Sequence, residues 1–169
     1  MAMKKTQRGF ALLIAIIFMS VMLSFGLALG SIGYKQQVLA SAAVESQYAF
    51  YAADAALECA LYWDQQKNLF AYNSSVPVSV PGPGPSMACD GASPLLSTVI
   101  SRTGAQWIIT ERLMLDSNKR CADVTIYKPA PGSGLLTYIF SQGYDVSCTT
   151  VSNPPSGARF VSRGLNAHY

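Results

Sequence analysis

Apolar positions run without a break near the start of this chain, then become periodic, then alternate. From Phe10 to Gly33 there is neither a charged residue nor a proline. A helix over that run, at about 1.5 Å per residue, reaches roughly 36 Å and can cross a hydrocarbon core of about 30 Å. From Tyr34 to about Gln66 proline and glycine are absent and alanine is abundant, so the helix is expected to continue. Ala52, Ala56, Cys59 and Trp63 recur at helical spacing and form one face. Phe50, Leu57 and Leu61 form an adjacent face, with Asp54 and Glu58 near its edge. This second part reads as a half-buried helix whose apolar stripe receives a sheet.

The helical pattern dissolves from Asn68 to Pro94 into Ser, Pro and Gly, centred on Pro81-Gly82-Pro83-Gly84-Pro85. That stretch predicts a loop, with a short strand at Val76 to Val80. Strands rich in Ile, Val, Thr and Leu follow at Gln106–Leu115 and Ala122–Lys128, then at Leu135–Asp145 and Arg159–Tyr169. Turn residues separate them at Asp116-Ser117-Asn118, from Pro129 to Gly134, and from Asn153 to Gly157. The expected fold is α+β, one long N-terminal helix packed against a four-stranded antiparallel sheet. The expected divisions are 1–9, 10–33 for the membrane half of the helix, 34–66 for its extramembrane half, and 67–169 for a globular head.

Composition sharpens this picture. Hydrophobic residues make up 50% and charged residues 12%, against a usual charged share of about 25%. Net charge is +3, partly from Lys4, Lys5 and Arg8 before the apolar run. Those basic residues place Met1 to Gly9 in the cytoplasm by the positive-inside bias. No basic stripe for phosphate recognition is visible, so nucleic acid is not expected as a partner unless a filament serves DNA uptake. Cys59, Cys89, Cys121 and Cys148 all follow the apolar stretch, an even count that fits an oxidising compartment and two disulfides. No pair has the C-x-x-C spacing of a metal knuckle, and neither a metal nor a cofactor is expected.

Lys4-Lys5-Thr6-Gln7-Arg8-Gly9-Phe10, followed at once by an apolar helix, resembles the class III signal of type IV pilins and pseudopilins. The resemblance implies cleavage by a prepilin peptidase between Gly9 and Phe10, and N-methylation of Phe10. It also implies insertion in the inner membrane with the head outside the cytoplasm, then extraction into an extracellular filament by an assembly platform. Other pilin subunits would be the partners, through the N-terminal helix. The stretch Ala49-Phe50-Tyr51-Ala52-Ala53-Asp54-Ala55-Ala56-Leu57-Glu58 also resembles the A-x-x-A-[DE]-A-[AG]-[LI] segment of PilX-like minor pilins. A helix of about 57 residues, near 85 Å, is far above the globular average of about 11–12 residues and is what a pilin's first helix would require.

One departure bears on role. Major pilins carry glutamate at the fifth mature position, and here that position is Ile14. A carboxylate in hydrocarbon is costly unless paired, so its loss removes both the cost and a docking contact. The departure is similar to minor pilins of the PilX-like group and to the K-type pseudopilin. It implies a subunit that primes assembly or sits near a tip, with adhesion or aggregation as a further role of the head. Within the same layout Cys89 is placed to staple the loop to the helix at Cys59, and the strand pairing brings Cys121 near Cys148. Four cysteines permit three connectivities, of which Cys59–Cys89 with Cys121–Cys148 is the favoured one.

Other features have modest readings. Gly26 and Gly30 form a G-x-x-x-G spacing for close helix approach, and with Gly33 they form a weak point that could unwind during packing. His168 reads as an exposed strand end, Asp54 and Glu58 as a polar helix edge, and Trp63 and Trp107 as core aromatics. Asn73-Ser74-Ser75 matches a glycosylation sequon by composition alone. No H-E-x-x-H, P-loop or G-x-S-x-G motif occurs, and no catalytic residues are assigned. Two alternative functions compete with the filament subunit: a single-span, membrane-anchored surface binding module outside any filament, and a secreted hydrolase or inhibitor released beyond Ala42.

Overall fold

The computed structural model of the protein describes residues 8–72, 82–102 and 105–169. The expected strand at Val76–Val80, the sequon at Asn73 and most of the basic N-terminal stretch lie outside the described residues. Helix α1 spans Arg8–Gln65. It ends where Asn68 adopts a left-handed backbone (φ 53°), with the Asn68 and Leu69 amides donating to the carbonyls of Asp64 and Trp63. Contacts divide the chain into two units that meet at Ala42 and Ala43, so the second unit, Ala43–Tyr169, contains the last part of α1 and the whole sheet. The expected boundary at Gly33 falls earlier than this division.

Six strands form one antiparallel meander in the order β1-β2-β3-β4-β5-β6. They are β1 (Gly82–Pro83), β2 (Leu96–Arg102), β3 (Gln106–Leu115), β4 (Arg120–Pro129), β5 (Tyr138–Tyr144) and β6 (Ser162–His168). The sheet is therefore larger than the four strands expected. Strand β2 hides from a period-two reading because its register shifts between Val99 and Ser101, which breaks the alternation. Strand β1 is two residues within a Pro/Gly run, and as an edge strand it tolerates the missing proline N–H. Expected limits of β4, β5 and β6 move by a few residues, while β3 keeps its range. A short helix α2 (Cys148–Ser152), not expected from its β-branched sequence, is N-capped by Ser147, whose hydroxyl accepts from the Thr150 amide.

The β3–β4 turn places Asp116, Ser117 and Asn118 all at positive φ, a conformation that short polar side chains tolerate. Asp90 Oδ2 accepts from the Asp116 amide at 2.7 Å and ties this turn to the loop after Cys89.

The inner face of the sheet carries Trp107, Ile109, Leu113, Leu115, Val124, Ile126 and Ile139, all buried. Against it lies a helix surface of small residues: Ala49, Ala52, Ala53, Ala56 and Ala60 are buried, with Leu57 and Asp64. Of the expected faces, Ala52, Ala56 and Leu57 are buried and Cys59, Leu61 and Trp63 pack partly buried against the same core, whereas Phe50 is exposed. Small size decides the geometry. A Cβ added at Gly143 would collide with the Ala49 carbonyl and the Ala53 amide, so the α1 and β5 backbones approach as closely as glycine permits. Ser141 Oγ donates to the Ala53 carbonyl at 2.8 Å across the same contact.

Candidate functional site

Gly9 and Phe10, the residues of the expected cleavage point, lie in the first turn of α1. Phe10 is 70% exposed and Ile14 51%. Between them and Ala42 every side chain is exposed, including the phenylalanines, isoleucines and leucines. Among the described residues one helix, Phe10–Gln65, is long and apolar enough to cross a membrane: an 18-residue window of it has a mean hydropathy of 2.6 and no buried residue. Its serines would be liabilities in hydrocarbon, but each satisfies itself on the preceding turn. Ser20, Ser24 and Ser31 donate at 2.8 Å to the carbonyls of Ile17, Ser20 and Ala28. A Cβ at Gly26, Gly30 or Gly33 would meet nothing within 4 Å in this chain, which leaves that side free for another helix.

Within the second unit α1 keeps an uncovered side. Val44, Tyr48, Tyr51 and Tyr62 are each 48% exposed or more, and Ala55 lies exposed among them. Their spacing is that of a heptad seam, which a second helix can fit. No signal for this stripe was drawn from the sequence, although the tyrosine spacing could have given one.

Two disulfides hold the head. Cys59 is bonded to Cys89, joining α1 to the segment between β1 and β2, and Cys121 to Cys148, joining β4 to α2. Trp63 Nε1 donates to the Ala88 carbonyl at 2.9 Å beside the first staple.

Two buried carboxyl groups were missed in the sequence. Asp64, 3% exposed, sits in the last turn of α1, where the helix dipole disfavours an anion. Lys128 Nζ compensates with bonds of 2.8 and 2.7 Å to its two oxygens, and the Tyr169 hydroxyl donates to Oδ2. Burial first, and the Asp64 contact second, push the Tyr169 hydroxyl up from its ordinary value. Glu111, 1% exposed, lies among the core side chains of β3 with no ion-pair partner among the described residues. The Met87 amide donates to its Oε2 at 3.2 Å, and Ser97 Oγ lies 3.3 Å from Oε1. Desolvation pushes its carboxyl up to about 7, against the smaller opposing effects of those two bonds.

On the outer face Arg112 forks onto Asp123 at 2.6 and 2.7 Å, with Nη1 on Ser152 Oγ and the Tyr144 hydroxyl on Asp123 Oδ2. The Asp123 bond raises the Arg112 guanidinium further. Burial, aided by the Asp123 charge, raises the Tyr144 phenol. His168 is exposed and stacks on Tyr138, ring centroids 5.6 Å apart. Asp54 is half-buried and Glu58 exposed, one turn apart on α1, and Trp107 is a core residue at 8% exposure. Among the described residues no group of three or more His, Cys, Asp or Glu could hold a metal ion.

Neither protein-family models, curated proteins nor solved structures offer a match to this chain. The functional reading therefore rests on residues and geometry alone. What the geometry offers is surface: an apolar helix with every side uncovered, a tyrosine seam, and a disulfide-held head.

Proposed function

We propose that the chain is a structural subunit of a type IV pilus-like filament, of the minor pilin or pseudopilin kind. The observation that carries this reading is a sequence of Lys4, Lys5, Arg8, Gly9 and Phe10 opening directly into a helix that is free of charge to Gly33 and exposed from Phe10 to Ala42. The same helix supplies the sheet's packing partner from Ala43 onward. In this reading the prepilin peptidase cuts between Gly9 and Phe10, Phe10 is methylated, and the helix waits in the inner membrane before extraction. Assembly proceeds by helix packing, with no bond chemistry of the subunit's own. Ile14 in place of a carboxylate supports a priming or near-tip position, because such a subunit has no amine of a further neighbour to neutralise.

Mass spectrometry of the mature N-terminus, from membranes of cells carrying the native processing machinery, tests it. The expected species begins with N-methylated Phe10. An intact Met1 overturns the filament reading in favour of a single-span anchored binding module. A terminus beyond Ala42 overturns it in favour of a secreted protein.

A further inference from the structure

The outer face of the sheet is bounded at both ends and open between. At one end α2 covers Cys121 and Tyr144, packed with Met114 and Val151. At the other, Leu135 and Leu136 stand exposed on the loop before β5. Two grooves run between these limits and share Phe140 as a wall. One, of about 320 Å³, is lined by Leu96, Thr110, Arg112, Asp123, Thr125 and Gln142, with Glu111 also at its wall although its place in the β3 alternation is on the inner face. The other, of about 730 Å³, is lined by Tyr127, Tyr138, Leu135 and Leu136.

Phe140 is a fixed platform. A Cβ at Gly164, two places from it across the β5–β6 pair, would lie 3.1 to 3.2 Å from its ring edge, so the ring is laid down over the glycine backbone. It remains 37% exposed, and Tyr138 on the same face is 40% exposed. The polar groups beside it are held too. Arg112 and Asp123 are locked together and to Ser152 and Tyr144, and Gln142 Nε2 donates to Ser162 Oγ at 3.2 Å. The outward residues of β3 to β6 include no charge other than that mutually neutralised pair. Lys128, Arg120 and Arg163 alternate onto the inner side.

We propose that this face is a binding site for a neutral oligosaccharide. A sugar ring has an apolar C–H face for Phe140 and Tyr138, and peripheral hydroxyls for the carboxylate, guanidinium, amide and threonine groups beside them. Absence of net charge disfavours nucleic acid and acidic glycans, which need uncompensated cations. Prefixed side chains lose little rotamer freedom on binding. The site lies wholly in the head and does not depend on the filament reading, so either can fail alone.

The full chain, in lipid nanodiscs free of sugar detergents, should be passed over an array of neutral and sialylated oligosaccharides. The neutral oligosaccharides retained are then titrated by calorimetry. Retention of neutral members is expected, with Phe140→Ala weakening binding about tenfold or more. Gln142→Ala, at a half-buried rim position, should weaken it at an unchanged melting temperature, while Tyr51→Ala on the helix seam should not. Failure to retain any oligosaccharide overturns the proposal. So does retention of sialylated members only, or binding that neither face variant alters. Self-association that Phe140→Ala abolishes, in the absence of saccharide binding, would assign the face to protein docking instead.

Discussion

The two parts of α1 share a backbone conformation and a proline-free sequence, yet differ in how their side chains end up. Up to Ala42 no side chain is buried; from Ala43 to Gln65 a row of small residues is buried at helical spacing. The difference lies in the distribution and size of the apolar residues as well as in charge, since Lys35 is the one charged residue from Phe10 to Ala42 and four acidic residues follow from Ala43 to Gln65. In the first part bulky apolar residues occupy all sides, as suits a helix whose surroundings are apolar everywhere. In the second the bulk is on the sheet, and the helix contributes alanines that let two backbones meet at Gly143. A helix can thus be driven to bury its smallest side chains while its tyrosines stay out.

The packed part can be broken most severely at Asp64, the buried carboxylate that Lys128 balances. Lys128→Ala leaves Asp64 with the Tyr169 hydroxyl but no cation, and should lower stability by about 3–5 kcal/mol. Chemical denaturation of the oxidised protein reads this, and adding Asp64→Asn should recover much of the loss. A matching change in the first part should behave oppositely. Ile17→Lys should disfavour membrane insertion by roughly 3 kcal/mol on the translocon scale and leave the melting of the head unchanged. If the head melts earlier instead, the two parts are not energetically separate.

The comparison is sharpened by pH. Glu111 has a folded-state pKa raised above its unfolded value, so its protonated form stabilises the head and that contribution is complete below about 4.5. It is lost as pH rises through about 7, and the loss across that window is on the order of 3 kcal/mol. Denaturation midpoints measured from pH 4.5 to 7.5 should fall accordingly, and Glu111→Gln should flatten the slope. The smallest effect belongs to the seam. Tyr51→Ser should change stability by no more than about 0.5 kcal/mol, so any defect it causes in assembly would be one of contact rather than folding.

Legibility in the sequence followed the same division. The long helix was readable because nothing breaks it, and β3 because its alternation is unbroken from Gln106 to Leu115. Strand β2 was not, since Val99 and Ile100 are adjacent apolar residues at a register shift. Helix α2 was not, since its capping by Ser147 and its tether at Cys121 are set by distant parts of the chain. Within the candidate site, the apolar run and the Gly9-Phe10 junction could be read directly. The outer-face grooves could not, because they combine residues from four strands and depend on a ring lying over Gly164. Asp64 and Glu111 look like any surface carboxylates in the sequence; only the pairing of helix and strands places them inside.

The staple between Cys59 and Cys89 also has a mechanical meaning. A pull applied to α1 on the N-terminal side of Cys59 can pass into the segment before β2 through a covalent bond. The last turns of the helix, and the long connection after it, are then bypassed and bear none of the extension. Tension then enters the chain at Cys89, a few residues before β2, rather than through the connection that follows the helix. Reduction of that single bond would change the order in which the head yields, even where it leaves the resting fold intact.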